Sequence, residues 1–183
     1  MEPLIRDVSI KRYRALRDVA ISGLGRVNLV TGMNNAGKTS LLEALRLLLF
    51  NAAPAVVYDI LRLREEELED SPEAGGLVQP NGVFELSSLF YGFPAFSTEV
   101  DPIQIVASGA QREMSVTVGL AWLAEEKDGG GAPRRLREQS DAYGATEVFP
   151  GLDIEVDGVG RLRSLDGFRR SARGRLPQPL PER

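Results

Sequence analysis

The sequence predicts an α/β fold in which a P-loop lobe is followed by a mostly antiparallel β region. Three observations predict it. Residues Gly32, Met33, Asn34, Asn35, Ala36, Gly37, Lys38 and Thr39 fit the pattern G-x-x-x-x-G-K-[ST], a loop whose backbone amides cradle phosphate. Val27, Leu29 and Val30 before it suit a buried strand, and residues 40–50 after it are strong helix formers with no Gly or Pro. From Pro102 onward the apolar residues recur at every second position, as in Met114, Val116, Val118, Leu120 and Trp122, which is the period of a half-buried strand.

Taken in order, residues 4–10 read as a first strand on their β-branched content, and residues 15–21 as a second. Lys11, Arg12, Tyr13 and Arg14 form a basic link between them, so the pair reads as a hairpin. The loop strand, residues 26–31, follows, and the helix begins near Lys38. Asn51, Ala52, Ala53 and Pro54 stop that helix. Residues 57–69 read as a second helix, with Val57, Ile60, Leu61, Leu63 and Leu68 near one side and a solvated acidic face. Residues 71–76 and 79–82 are loops. Residues 83–90 fit a short helix or a strand. Phe93, Pro94, Ala95 and Phe96 are irregular apolar chain, for which burial against the helices outweighs a binding surface. Residues 103–108 and 114–123 read as strands paired through a turn at 109–112. Residues 125–133, with Gly129, Gly130 and Gly131, form a flexible linker. Residues 152–158 alternate again and add a strand. Pro177, Pro179 and Pro181 leave the end without helix or central strand. The division is thus 1–100, a P-loop nucleotide-binding lobe; 101–160, an antiparallel β region of the same unit; and 161–183, a basic, proline-containing tail.

The loop's chemistry follows from its spacing. Gly32 and Gly37 allow a tight turn and close approach to a ligand. Amides of Asn34, Asn35, Ala36 and Gly37 point inward as a nest for phosphate oxygens, and the helix N-terminus adds positive potential. Lys38 is placed to reach the β- and γ-phosphates, Thr39 to set its hydroxyl on Mg²⁺, and Ser40 to add a hydroxyl contact. The expected ligands are ATP and Mg²⁺. The bland alternative is a glycine-rich turn that happens to match the pattern; the strand and helix read on its flanks weigh against it.

Composition narrows the rest. The chain has 183 residues, 43% hydrophobic and 26% charged, in the range of one globular domain. There is no cysteine and no histidine, which excludes disulfides, thiolate metal sites and histidine general bases. Catalysis would have to use carboxylates, lysine, hydroxyls or a bound Mg²⁺. No apolar run reaches the length of a membrane span, and early charges at Glu2, Arg6 and Asp7 do not fit a signal peptide. A cytoplasmic location without membrane contact is the expectation. Net charge is −4 but uneven. Glu65, Glu66, Glu67, Glu69 and Asp70 cluster, whereas Arg161, Arg163, Arg169, Arg170, Arg173, Arg175 and Arg183 face only Asp166 and Glu182 in the tail. Such a tail can contact DNA, although a solvated end is the commoner reading.

The order strand, Tyr13-Arg14 link, strand, then Val27-Asn28-Leu29-Val30-Thr31 leading into the loop and Ser40-Leu41-Leu42-Glu43-Ala44 resembles the N-terminus of ABC-type ATPases of the RecF/SMC/OLD group. It is most similar to the AAA-type ATPases related to the OLD endonucleases. The specific part covers about residues 4–50. The resemblance implies an ABC-ATPase-like P-loop NTPase lobe that binds ATP and Mg²⁺, and a head-to-head dimer sandwiching two nucleotides. It also implies action on DNA in repair, chromosome organisation or phage defence, with a Toprim nuclease after the ATPase in OLD-type members. By the same resemblance Arg14 lies close to the nucleotide. The chain departs from the family pattern in having no apolar run ending in Asp-Glu for Walker B and no signature motif. No histidine can sense the γ-phosphate, and Gln79, Gln104 and Gln111 are open choices for a Q-loop glutamine. The expectation is the first lobe of a head, with the second lobe and any nuclease lying elsewhere, and with ATP hydrolysis dependent on that lobe or a partner.

Two other readings compete. A self-sufficient small P-loop kinase would use Arg134, Arg135 and Arg137 as a lid. A non-catalytic interaction module would pair with a full-length partner, or bind DNA through the basic end.

Overall fold

The computed structural model describes residues 2–64, 86–95, 99–109, 112–126, 134–136 and 145–164. Strands β1 (Asp7–Tyr13) and β2 (Leu16–Ile21) form the expected antiparallel hairpin, shifted from the boundaries read in the sequence. Lys11 and Tyr13 are part of β1, and the link shrinks to Arg14 and Ala15. Charge does not end a strand whose main chain has two neighbours: Lys11 pairs with Asp18 on one side and with Gln104 on the other. The end of β1 is also tied to the stretch 86–90. Tyr13 bridges Phe90, Arg14 N–H donates to Leu89 O at 2.9 Å, and Tyr91 N–H donates to Arg12 O at 2.9 Å.

Helix α1 (Lys38–Leu49) lies where the motif predicts it. It closes with Asn51 in the left-handed region at φ 53. Ala52 N–H donates to Leu47 O and Asn51 N–H to Leu48 O, the paired bonds that satisfy carbonyls at a helix C-terminus. Pro54 does more than end α1: it opens α2 (Pro54–Arg62) in the first turn, where its missing N–H costs nothing. Helix α2 thus starts earlier than expected and buries Val56, Val57, Ile60 and Leu61. Leu63 lies past its end and is exposed; Leu68 falls outside the described residues.

The stretch whose type was open is a helical turn at Leu86 and Ser87 that ends in the bridge at Phe90. Leu86, Leu89 and Phe90 are buried, whereas Tyr91 and Phe93 are exposed. The expected loops 71–76 and 79–82, the glycine linker from 127 to 133, Phe96, and the tail beyond 164 lie outside the described residues.

Strands β3 (Ile103–Ser108) and β4 (Glu113–Glu126) pair antiparallel as read. The first two residues of the linker expected at 125–133 are instead part of β4, which runs through Glu126. Strand β5 (Arg134–Leu136) pairs with β4. Arg134 and Arg135 therefore belong to the sheet, and Arg137, the third arginine of the kinase reading, lies outside the described residues. Strand β6 (Ala145–Val156) begins before the residues that alternate, and β7 (Val159–Ser164) follows through Asp157 and Gly158. These two have φ 48 and 82, the left-handed pair that a tight hairpin turn needs.

The sheet order is β2-β1-β3-β4-β6-β7, with β5 on β4. The boundary expected near residue 100 therefore separates no sheets, since β1 pairs directly with β3. Helix α1 packs across β1, β3 and β4. The core holds Val8, Ile10, Tyr13, Ala44, Leu47, Leu48, Ile60, Ile105 and Val116. Gly109 sits where the chain before β1 runs past the end of β3: a Cβ there would collide with the Leu4 carbonyl. Gly109→Ala should cost about 1–3 kcal/mol, as overpacking against main chain does, read as a lowered urea midpoint with an unchanged m-value.

One predicted strand is missing. Residues 26–31 are not in any strand, and Val27, Leu29 and Val30 are 92%, 88% and 43% exposed. Their composition is that of a buried strand, but a strand exists only with a neighbour, and the described strands all lie in one sheet with which residues 26–31 do not pair.

Candidate phosphate-binding site

The loop from Gly32 to Lys38 leads straight into α1, whose N-cap is Gly37 at φ 86 and ψ 9 with no side-chain cap. The amides of the first helical turn thus have no partner within the helix. Asn35 at φ 62 and Gly37 at φ 86 stand in the left-handed region on either side of Ala36. Alternation of this kind turns successive N–H groups to one side and makes an anion-binding concavity. Among the described residues, the only main-chain bond made by an amide of residues 33–37 runs from Ala36 N–H to Met33 O at 3.3 Å. The other amides are left to donate to a ligand.

Lys38 folds back over this loop. Its Nζ donates to Gly32 O at 2.8 Å and to Met33 O at 2.7 Å. An ammonium has three donors, so one remains for an incoming oxygen while two hold the loop. Gly37 is required twice over. Its φ is one that side chains rarely adopt, and a Cβ there would meet Leu16 Cδ2 at 3.0 Å and Ala15 Cβ at 3.9 Å. The tip of the β1–β2 hairpin therefore backs the loop.

The fold places Gly32, Asn34, Asn35, Ala36, Gly37, Lys38 and Thr39 in one turn of chain and one helical step. All are exposed or half-buried, whereas Ser40 is buried. Arg14 is elsewhere. It is 4% exposed, and its Nε lies 3.0 Å from Glu43 Oε2 beneath α1. Arg64 joins the same carboxylate through Nε at 3.0 Å from Oε1. Tyr13 OH donates to Glu43 Oε2 at 3.2 Å. Burial first, and the Glu43 charge second, hold the Tyr13 phenol well above its ordinary value, so it remains a proton donor to that carboxylate.

Glu43, Tyr13 and Arg64 are the residues that sequence reading passed over. A signal was present: Glu43 stands between Leu41 and Ala44 on the buried face of α1, and a buried carboxylate demands a cation.

The loop fits a phosphate chain: free amides, a helix N-terminus and an ammonium converge there. For Mg²⁺ the chain offers the exposed Thr39 hydroxyl. Among the described residues no group of three or more acidic side chains could hold a metal, and Glu43, one turn beyond Thr39, is engaged by two arginines. Thr39 is the residue here suited to hold Mg²⁺, which when bound would supply positive charge against the negative charge of the phosphates. A separate cleft of about 310 Å³ lies between Arg12, Arg17, Tyr91 and Asp101. No helix among the described residues is long and apolar enough to cross a membrane.

Comparison with known proteins agrees with this geometry. Residues 7–76 match an AAA domain. Over 46 residues the chain is 44% identical to an uncharacterised protein of Methanocaldococcus jannaschii, a match covering 25% of this chain and 21% of that one. Over 42 residues it is 45% identical to an ATP/GTP phosphatase of Helicobacter pylori, covering 23% of this chain and 11% of that one. The matches thus span about a fifth and a tenth of these relatives' lengths. Residues 7–76, at the N-terminal end of the chain, are thus similar to a domain of the AAA kind.

Proposed function

We propose that the chain is the ATP-binding lobe of an OLD/RecF-like ATPase that processes DNA or serves in phage defence, acting in the cytoplasm with ATP and Mg²⁺. The observation that carries the reading is the loop of residues 32–38, whose amides stand open beneath the Lys38 ammonium. The AAA domain match over residues 7–76 supports the nucleotide. The DNA role rests on the resemblance around Tyr13-Arg14 and the loop. A head-to-head pairing, or a full-length partner, would supply the groups that orient the attacking water. On this reading the chain alone binds ATP but turns it over slowly, at about 10⁻³ s⁻¹ or less, as P-loop proteins do before the missing catalytic group arrives.

Titration calorimetry with ATP, with and without Mg²⁺, tests the proposal. Thr39→Ala is expected to leave metal-free ATP binding in place and to remove most of the Mg²⁺ enhancement, an effect of about tenfold. Absence of ATP binding by the unaltered chain at millimolar nucleotide would end the proposal.

A further inference from the structure

The cleft of about 310 Å³ beside the end of β1 shares no residue with the phosphate loop. Arg12 gives it its shape. Up to Lys11, β1 pairs residue by residue with β2 and with β3, and at Arg12 both ladders lapse. Arg12 stands in the left-handed region at φ 59, which a non-glycine residue rarely adopts. Two bonds hold it there. Its carbonyl accepts from Tyr91 N–H at 2.9 Å, and its Nε donates to Pro102 O at 2.7 Å. The strand end, the stretch after Phe90 and the residues before β3 are thereby gathered around one hollow. Phe90, Pro94 and Val100 give it apolar walls, and Tyr91, 45% exposed, stands beside them.

The charges on this cleft are unspent. With Nε engaged by Pro102, the terminal nitrogens of Arg12 keep their donors. Arg17, exposed on β2, joins the same cleft. Among the described residues no carboxylate lies within ion-pair distance of either arginine. Asp101, also exposed there, has no ion pair among them either. Two free guanidiniums beside an apolar hollow fit a ligand that is anionic and partly apolar, because each guanidinium can take a carboxylate in a two-pronged grip. The volume is at the small end for ligand sites, room for one large side chain. A nucleic acid strand fits less well. Its backbone is tracked by a run of cations, whereas Asp18 adjoins Arg17, and Glu99 and Asp101 adjoin Val100. Asp101 also needs a donor, which a peptide main chain carries at nearly every residue and a phosphodiester backbone does not.

We propose that this cleft is a peptide-docking site whose occupant is an extended acidic segment of a partner protein. One large apolar side chain enters between Phe90, Pro94 and Val100, with Tyr91 at its edge. Carboxylates before and after that side chain pair with Arg12 and Arg17, and a main-chain N–H donates to Asp101. The site stands apart from the nucleotide assignment.

Fluorescence anisotropy on the full 183-residue chain tests it. The probe is a short labelled peptide, blocked at both ends, with one phenylalanine between two aspartates. It should bind below about 1 mM, and should weaken about tenfold or more when its aspartates become asparagines or its phenylalanine becomes alanine. Arg17→Ala and Tyr91→Ala, both at exposed side chains, should each weaken it about tenfold while melting and ATP titration stay unchanged. Arg17→Lys keeps the charge without the fork and should fall between. Asp101→Ala should weaken the peptide and strengthen a labelled oligothymidylate. No peptide binding up to about 1 mM, or binding indifferent to the altered peptides and to both alanine variants, would overturn the proposal. Tighter binding of the oligothymidylate than of the peptide would overturn it in favour of nucleic acid. Self-association of the chain that Arg17→Ala abolishes, without peptide binding, would overturn it in favour of a second copy. A chain that binds the peptide as described but not ATP would support the site and count against the nucleotide reading alone.

Discussion

Lys38→Ala should lower ATP affinity about a hundredfold while leaving the fold unchanged. Each charge-assisted bond from the ammonium to a phosphate oxygen contributes roughly 1.5–3 kcal/mol, and about 3 kcal/mol is two decades in affinity. The amides of Asn34 to Gly37 and the α1 N-terminus would still attract phosphate, so a remnant of binding is expected. Stability should move little. Lys38 is only half-buried, and its bonds to Gly32 O and Met33 O are on the surface, where substitutions shift stability by about 0.5 kcal/mol. Calorimetry for affinity and circular dichroism for melting, on the same sample, separate the two effects. Lys38→Arg is the companion: a planar fork cannot reproduce a compact ammonium folded over two carbonyls, so it should rescue little. An unchanged affinity in Lys38→Ala would mean that the loop does not hold the triphosphate.

What the sequence disclosed, and what it did not, follows the range of the interactions concerned. The loop and α1 are local: a glycine that must be left-handed, a lysine behind it, and eleven helix formers with no Gly or Pro. All of that is written in consecutive residues. The alternation of Met114 to Leu120 is equally local and fixes which face of β4 is buried. Its continuation is not, because beyond Leu120 the buried residues become Ala121 and Leu123, where β4 has left β3 and pairs with β5 and β6. Strand β7 was unreadable for a similar reason. Gly160, Arg161 and Arg163 have poor strand propensity, and pairing through the turn at Asp157 and Gly158 overrides it. Residues 26–31 are the reverse case: strand composition without a strand, since propensity cannot replace an absent neighbour. The role of Glu43 needed contacts 21 and 30 residues away along the chain, which no window on α1 contains.

That carboxylate carries the second large effect. Glu43→Ala should destabilise the chain by about 3–5 kcal/mol, the usual cost of removing one partner from a buried ion pair. Domains of this size have only about 5–15 kcal/mol in all, so the urea midpoint should fall steeply. Three groups lose a carboxylate partner at once: the buried Arg14 guanidinium, the Arg64 guanidinium and the fully buried Tyr13 hydroxyl. Glu43→Gln keeps the shape and one oxygen for Tyr13 but gives up the charge, and should fall between. The decisive comparison replaces the pair together. Arg14→Met with Glu43→Leu removes the buried charges along with their need for each other, so it should recover most of the loss. A Glu43→Ala change costing less than about 1 kcal/mol would show that Arg14 is neutralised by other groups. The network also bears on the loop. Arg14 is in the hairpin turn whose next residues, Ala15 and Leu16, back Gly37, and Glu43 is in the helix that Gly37 caps. The ion pair therefore clamps the hairpin tip to α1 on the far side of the phosphate loop. In Glu43→Gln, which should still fold, ATP affinity should weaken by a few-fold without any change at a residue that touches phosphate, because the support behind Gly37 has loosened.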